Sequence, residues 1–215
     1  MFFFYAYIGH QRSTVLRTRL TVSLLVAAGS LIAQVPTTTN SVPVHSPITR
    51  SERLKWFTVS TIGPQSLGVG VISSAWSTAF NNPPEYRPTW TGFGKRYGMR
   101  LTGVSTGNAI EAGLGAVWGE DPRYVRAEGK PVGTRIRQVI RMTFLALQRD
   151  GSVRPAYARY SAWMGNNTLS NAWRVESQTS LDDTVIRVVV GVAGRLGGNA
   201  FAEFWPDVRH RIRRR

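Results

Sequence analysis

Thr89-Trp-Thr-Gly-Phe-Gly-Lys-Arg-Tyr-Gly-Met-Arg-Leu-Thr-Gly-Val-Ser-Thr-Gly-Asn-Ala-Ile-Glu-Ala-Gly-Leu-Gly-Ala-Val-Trp118 decides the fold class. Trp90, Phe93, Tyr97, Leu101 and Val104 recur at helical spacing, and Ile110, Leu114 and Val117 continue on a shifted face. Beside them run Gly94, Gly98 and Thr102, then Gly103 and Gly107. Each glycine weakens a helix by about 1 kcal/mol relative to alanine. A helix this rich in glycine therefore needs close helix contact in return, and a kink is expected near Gly103.

Working outward, the same period continues. Ser51 and Glu52 open a helix to about Ile62, which Gly63-Pro64 ends. The next helix, to about Phe80, carries Ser66, Gly70, Ser74 and Thr78 at four-residue spacing and stops at Asn81-Asn-Pro-Pro-Glu85. Val132 to Leu147 has the cleanest amphipathic pattern, with Val132, Ile136, Val139, Ile140, Phe144 and Leu147 expected inside and Arg135, Arg137 and Arg141 outside. Arg149-Asp-Gly-Ser152 reads as a turn. Pro155–Met164 and Leu169–Trp173 read as helical pieces separated by Gly165-Asn-Asn. The last helix, Asp182 to about Trp205, sets Gly194, Gly198 and Ala202 beside Val185, Val188, Val192 and Leu196; only Val185 to Val192 admits a strand reading. The expected fold is all-α, a compact bundle of about five to seven glycine-rich helices.

Small residues at four-residue spacing let backbones approach, and in a bilayer they associate helices. They also serve tight packing in a soluble bundle. Arginines interrupt the long candidates (Arg96, Arg100, Arg187, Arg195), and the uncharged window Leu67–Phe80 is short of the roughly 18–20 residues a span requires. Trp76, Trp118, Trp173 and Trp205 lie near expected helix ends, as in an interfacial belt.

Ahead of the helices, three arginines from Arg12 to Arg19 precede the apolar run Leu20–Ala33, the layout of a secretory signal peptide. Residues 34–48 read as a disordered linker, 49–208 as the helical domain and 209–215 as a basic tail. The net charge of +15 comes from 27 basic and 12 acidic residues, and only Lys55, Lys95 and Lys130 are lysines. Without residues 1–33 the chain is still +12. Such a charge suits an anionic membrane surface or an envelope protein as partner. Nucleic acid is a weaker fit, because the arginines are scattered singly through apolar helices and no RNA-binding motif occurs.

The chain has no cysteine, and His10, His45 and His210 all fall outside the expected core. That removes thiolate nucleophiles, Ser-His relays and ordinary zinc sites from the core, so no metal and no cofactor is expected. Acid–base chemistry would fall to carboxylates, Tyr or Lys, with Glu111, Glu120 and Asp121 as the catalytic candidates. Glu111 lies on the stripe Val104, Gly107, Asn108, Gly115, Trp118, which points it into helix packing. A buried carboxylate must be paired, and Arg187 and Arg195 on the last helix are the expected partners. Glu203 and Asp207 flank Phe204-Trp-Pro206, where a carboxylate caps or pairs. Arg209, Arg211, Arg213, Arg214 and Arg215 are the expected membrane-binding residues.

Asn81-Asn-Pro-Pro-Glu85, Glu120-Asp-Pro-Arg-Tyr124, Ser170-Asn-Ala-Trp173 and Phe204-Trp-Pro-Asp207 resemble the signature words of a family of exported bacterial helical proteins, seen notably in acidobacteria. The resemblance covers about Arg53 to Val208. It implies a bacterial envelope setting and carries over no catalytic residue. The expected function is that of a non-enzymatic, exported protein of the periplasm or cell envelope, associated with membrane or envelope partners. The alternatives are a carboxylate-dependent envelope hydrolase and a basic organellar or RNA-binding protein. Ligand and oligomeric state have no signature in the sequence.

Overall fold

The computed structural model describes residues 46–214. The expected leader, most of the linker, His10, His45 and Arg215 lie outside the described residues. Among the described residues, six α-helices carry the fold: α1 (Arg50–Ile62), α2 (Pro64–Ala79), α3 (Trp90–Trp118), α4 (Val132–Phe144), α5 (Tyr157–Leu169) and α6 (Leu181–Arg213). A small antiparallel sheet, β1 (Glu120–Asp121), β2 (Leu145–Gln148) and β3 (Val153–Pro155), joins them in the order β1-β2-β3. The architecture is mainly helical, and the sheet is its one departure from the all-α expectation.

Local chemistry sets the helix ends. Thr49 and Glu52 form a capping box at the start of α1, satisfying two backbone amides reciprocally. Pro64 fills the first turn of α2, where its missing N–H costs nothing. Thr89 caps α3 by accepting from the Gly92 amide at 3.1 Å, and Gly119 ends it in the left-handed conformation at φ 82.

α3 is the axis. It runs as one α-helix over 29 residues, with α1, α2 and α5 packed along it. Gly115 lies against Ala158, and Gly107 lies against Asn166, so α3 and α5 are antiparallel. A Cβ at Gly115 would stand 2.8 Å from an Arg53 nitrogen and 3.1 Å from the Glu120 carbonyl oxygen. The stripe Ser66, Gly70, Ser74 on α2 is buried, as are Gly194, Gly198 and Ala202 on α6. Gly94 and Gly98 face outward, with nothing within 4 Å of a Cβ there.

Four expectations need correction. The α4 helix stops at Phe144, because Leu145 to Gln148 pair with Val153 to Pro155 across the predicted turn. Residues Gly165-Asn-Asn do not break α5, since Asn166 packs on the smooth Gly103–Gly107 face of α3. Val185 to Val192 is helical, and α6 passes through Pro206 to Arg213, so the first residues of the basic tail continue the helix. The fourth correction concerns faces. On α4, Val132, Ile136, Ile140 and Phe144 are exposed and Arg135 is buried, with only Val139 and Met142 of the apolar set turned in.

That reversal is general. Among the described residues, the fully buried side chains of greatest volume are Arg159 and Glu203, ahead of Val69 and Asn199. Large apolar side chains line the outside instead: Val189 is 61% exposed, Leu181 83% and Trp90 88%.

Candidate functional site

The polar interior is built from the end of α3, the loop that follows, and the facing halves of α5 and α6. Glu111 is buried on α3 and receives Arg159 Nε at 2.9 Å and Arg195 Nη2 at 3.3 Å. The second guanidinium is the one expected from the sequence. The first is supplied by α5, and Arg187 takes no part: it donates to the Gln178 and Asn167 carbonyls, to Asn171 and to Thr184. Arg187 stands two helical turns from Arg195, toward the start of α6, while Glu111 lies toward the far end of α3.

β1 places the other two candidate carboxylates. Pairing of Glu120 with Gln148 and Asp121 with Leu147 holds this short segment against the hairpin. Glu120 is buried and accepts from the Ala158 amide at 3.0 Å, at the start of α5, where helix amides favour an anion. Burial nonetheless pushes its carboxyl above the ordinary range, with the Ala158 and Tyr157 amides opposing. Asp121 holds Arg123 through both oxygens, and Arg123 reaches on to Glu52 at 3.1 Å. The Pro122 carbonyl accepts from Arg195, and Tyr124 donates its hydroxyl to Glu203 at 2.8 Å. The word Glu120-Asp-Pro-Arg-Tyr124 thus ties the loop to α5 through Glu120, to α1 through Arg123 and to α6 through Pro122 and Tyr124. Burial and the Glu203 carboxylate both raise the Tyr124 hydroxyl pKa, so it stays a donor.

A second ionic centre sits beside the first. Glu203 is fully buried on α6 and accepts from Arg135 Nε at 2.6 Å, Tyr124 and the Ala127 amide. Arg135 also binds Asp207 at 2.5 Å and lies over the Phe204 ring. The Phe204-Trp-Pro-Asp207 word therefore reads as pairing, as expected for Glu203 and Asp207, though its partner comes from the supposedly outward face of α4.

The arginines do more than pair. Arg159 Nη1 donates to the carbonyls of Met142, Thr143 and Leu145 where α4 ends, Arg96 gathers those of Asn82, Pro83 and Arg87, and Arg53 gathers those of Ala112 and Glu120. Asn81 and Arg87 in the loop that Arg96 clamps take left-handed φ angles of 48 and 55. A guanidinium offers five donors in a planar fork, so Arg96 spreads Nε, Nη1 and Nη2 over three loop carbonyls, and Arg159 holds Glu111 with Nε while Nη1 gathers carbonyls. This use accounts physically for an interior built with arginine rather than lysine.

Among the described residues, no group of three or more His, Asp or Glu stands close enough to hold a metal ion. Of the expected tail residues, Arg209, Arg211, Arg213 and Arg214 are exposed at the end of α6. No protein-family model, no curated protein and no solved structure matches this chain.

Proposed function

We propose that this is a non-enzymatic protein embedded in the membrane of a bacterial cell envelope, a helical bundle with lipid as its outer solvent. The observation that carries the reading is the inverted distribution of side chains. Among the described residues, 8 hydrophobic and 18 polar or charged residues are buried, while 23 large hydrophobics are exposed. In water this pattern forfeits burial worth about 1.5–3 kcal/mol per large apolar side chain. In lipid it is the ordinary one, because charges must face the bundle interior and be paired.

Three further features support it. Helix α6 is long and apolar enough to cross a membrane, and only 22% of its most apolar 18-residue window is buried inside the protein, unlike a soluble core helix. Trp90 and Trp118 stand at opposite ends of α3, about 42 Å apart along its axis, against a bilayer thickness of ~40–45 Å with headgroups. Trp76 and Phe80 join the first end; Trp205 and Tyr157, through Glu203 and Glu120, join the second. Amphipathic α4 also lies at the second end, with its apolar stripe outward and exposed Arg137 and Arg141 along one side of it, as in an interfacial helix. Arg209 to Arg214 add positive charge there, which suits anionic headgroups.

A hydrolase is the weaker reading, because Glu111, Glu120 and Asp121 are each buried and held by cations or amides. Carbonate washing of host membranes is the test of the proposal. The full chain should stay in the pellet after alkaline carbonate and leave it only with detergent. Release into the wash would exclude embedding and return the protein to the aqueous envelope.

A further inference from the structure

Chain direction sorts the connecting segments between the two ends of the bundle. Arg53 reaches Gly115 and the Glu120 carbonyl, so α1 starts beside the end of α3. Asn108 donates to Thr61 at 3.1 Å, so α1 runs back along α3. α5 starts at the same end and is antiparallel to α3, with Ala158 against Gly115 and Asn166 against Gly107. Arg187 donates to the Asn167 and Gln178 carbonyls, which sets the first turns of α6 beside the end of α5. Tyr124 and Arg135 then hold Glu203 and Asp207, far along α6, to the end where α3 finishes. The start of α1, residues 119–156 and the tail therefore share the Trp118 end. Residues 80–89, which Arg96 clamps to the start of α3, and residues 170–180 share the Trp90 end.

Lysine and arginine follow this division. Residues 119–156 carry eight of them, whereas 80–89 and 170–180 carry one each, Arg87 and Arg174. Arg123, Arg126 and Arg135 are held in ion pairs, but Lys130, Arg137, Arg141 and Arg154 are exposed. The start of α1 adds exposed Arg50 and Lys55, and the tail adds its exposed arginines. Among the described residues, the exposed lysines and arginines of the Trp90 end are Arg87 and Lys95.

We infer that the Trp118 end, with α4 and the tail, faces the cytoplasm, and that residues 80–89 and 170–180 face the outside. The inference rests on the membrane reading. Connections shorter than about 60 residues that are rich in Lys and Arg stay on the cytoplasmic side, and acidic residues count for little in that bias. Ion pairs with Asp150 or Asp207 thus leave the asymmetry intact. The cytoplasmic leaflet also carries the negative surface potential that attracts basic segments. This orientation sets Arg50 and Arg213 on the cytoplasmic side. A cleaved secretory leader would deliver Arg50 to the opposite one.

The chain has no cysteine, so single cysteines report without background. In the full chain they replace exposed, uncharged residues: Thr134→Cys and Val208→Cys at the basic end, Thr91→Cys and Ala172→Cys at the other. Spheroplasts of a bacterial host are treated with a membrane-impermeant maleimide before and after lysis, and their membranes are then washed in alkaline carbonate. Thr91→Cys and Ala172→Cys should label fully before lysis. Thr134→Cys and Val208→Cys should label only after it. Any other pattern in a carbonate-resistant chain, the reverse one included, would overturn the orientation and leave the membrane reading standing. A chain released by carbonate would overturn both.

Discussion

Glu111→Ala is expected to destabilise the fold by about 3–5 kcal/mol, the cost of leaving a buried charge without its partner. The effect is large because two cations lose their anion at once. Arg159 is 1% exposed and keeps its carbonyl acceptors, but carbonyl oxygens do not cancel its charge. Arg195 keeps the Pro122 carbonyl alone. Glu111→Gln should cost less, since the amide retains the shape and one acceptor for Arg159 Nε. Thermal melts in detergent read both values. A double-mutant cycle with Arg195→Met should return a coupling of about 0.5–3 kcal/mol. A Glu111→Ala protein as stable as the parent would show that the two guanidinium groups find other anions, and the pair would lose its structural role. Unchanged or raised stability in Glu111→Gln would instead favour a catalytic carboxylate held at a cost to the fold.

The second large effect is expected on the outside. Val189 is 61% exposed in the first third of α6, with Val185 one turn before it also outward. On the surface of a soluble protein, Val189→Asp would change stability by no more than about 0.5 kcal/mol. Facing hydrocarbon, an aspartate costs up to about 2.5–3.5 kcal/mol, the value reached at the centre of a spanning helix. Val189→Asp should therefore reduce the membrane-integrated fraction sharply, while Val189→Leu leaves it unchanged. Quantitative separation of integrated from extractable chain measures the effect. Equal integration of Asp and Leu variants would place this face in water.

The helices were legible because their punctuation is local: Thr49 and Glu52, Gly63-Pro64 and Asn81-Asn-Pro-Pro each act within a few residues. The burial of Glu111 and its contact with Arg195 were legible too, since α3 and α6 carry glycine at helical spacing beside them. What periodicity could not supply was the sign of a face. On α4 the same pattern serves an apolar side turned in or turned out, and the inward expectation assumes water outside. Arg135 shows the consequence, because the reversed face brings it to Glu203. A signal for it existed in the spacing of Glu203 and Asp207, four residues apart on α6, which matches one guanidinium fork. Arg159 had no comparable signal. Its importance comes from the end of α4, whose carbonyls it collects only because β2 begins there. The strands themselves are short, and a two-residue β1 leaves no alternation to read.

The central claim is that the apolar exterior meets lipid, and the most direct measurement is a nitroxide accessibility scan of the full chain in bilayers. Single spin labels at Ile136, Ile140, Val185, Val189 and Leu196 would be compared with labels at Arg137 and Arg209. The account predicts that the first set is relaxed strongly by oxygen, which concentrates in hydrocarbon, and weakly by a water-soluble nickel chelate. Arg137 and Arg209 should show the opposite. Chelate accessibility as high at Val185 and Val189 as at Arg209 would contradict it, and the inverted side-chain distribution would then face water.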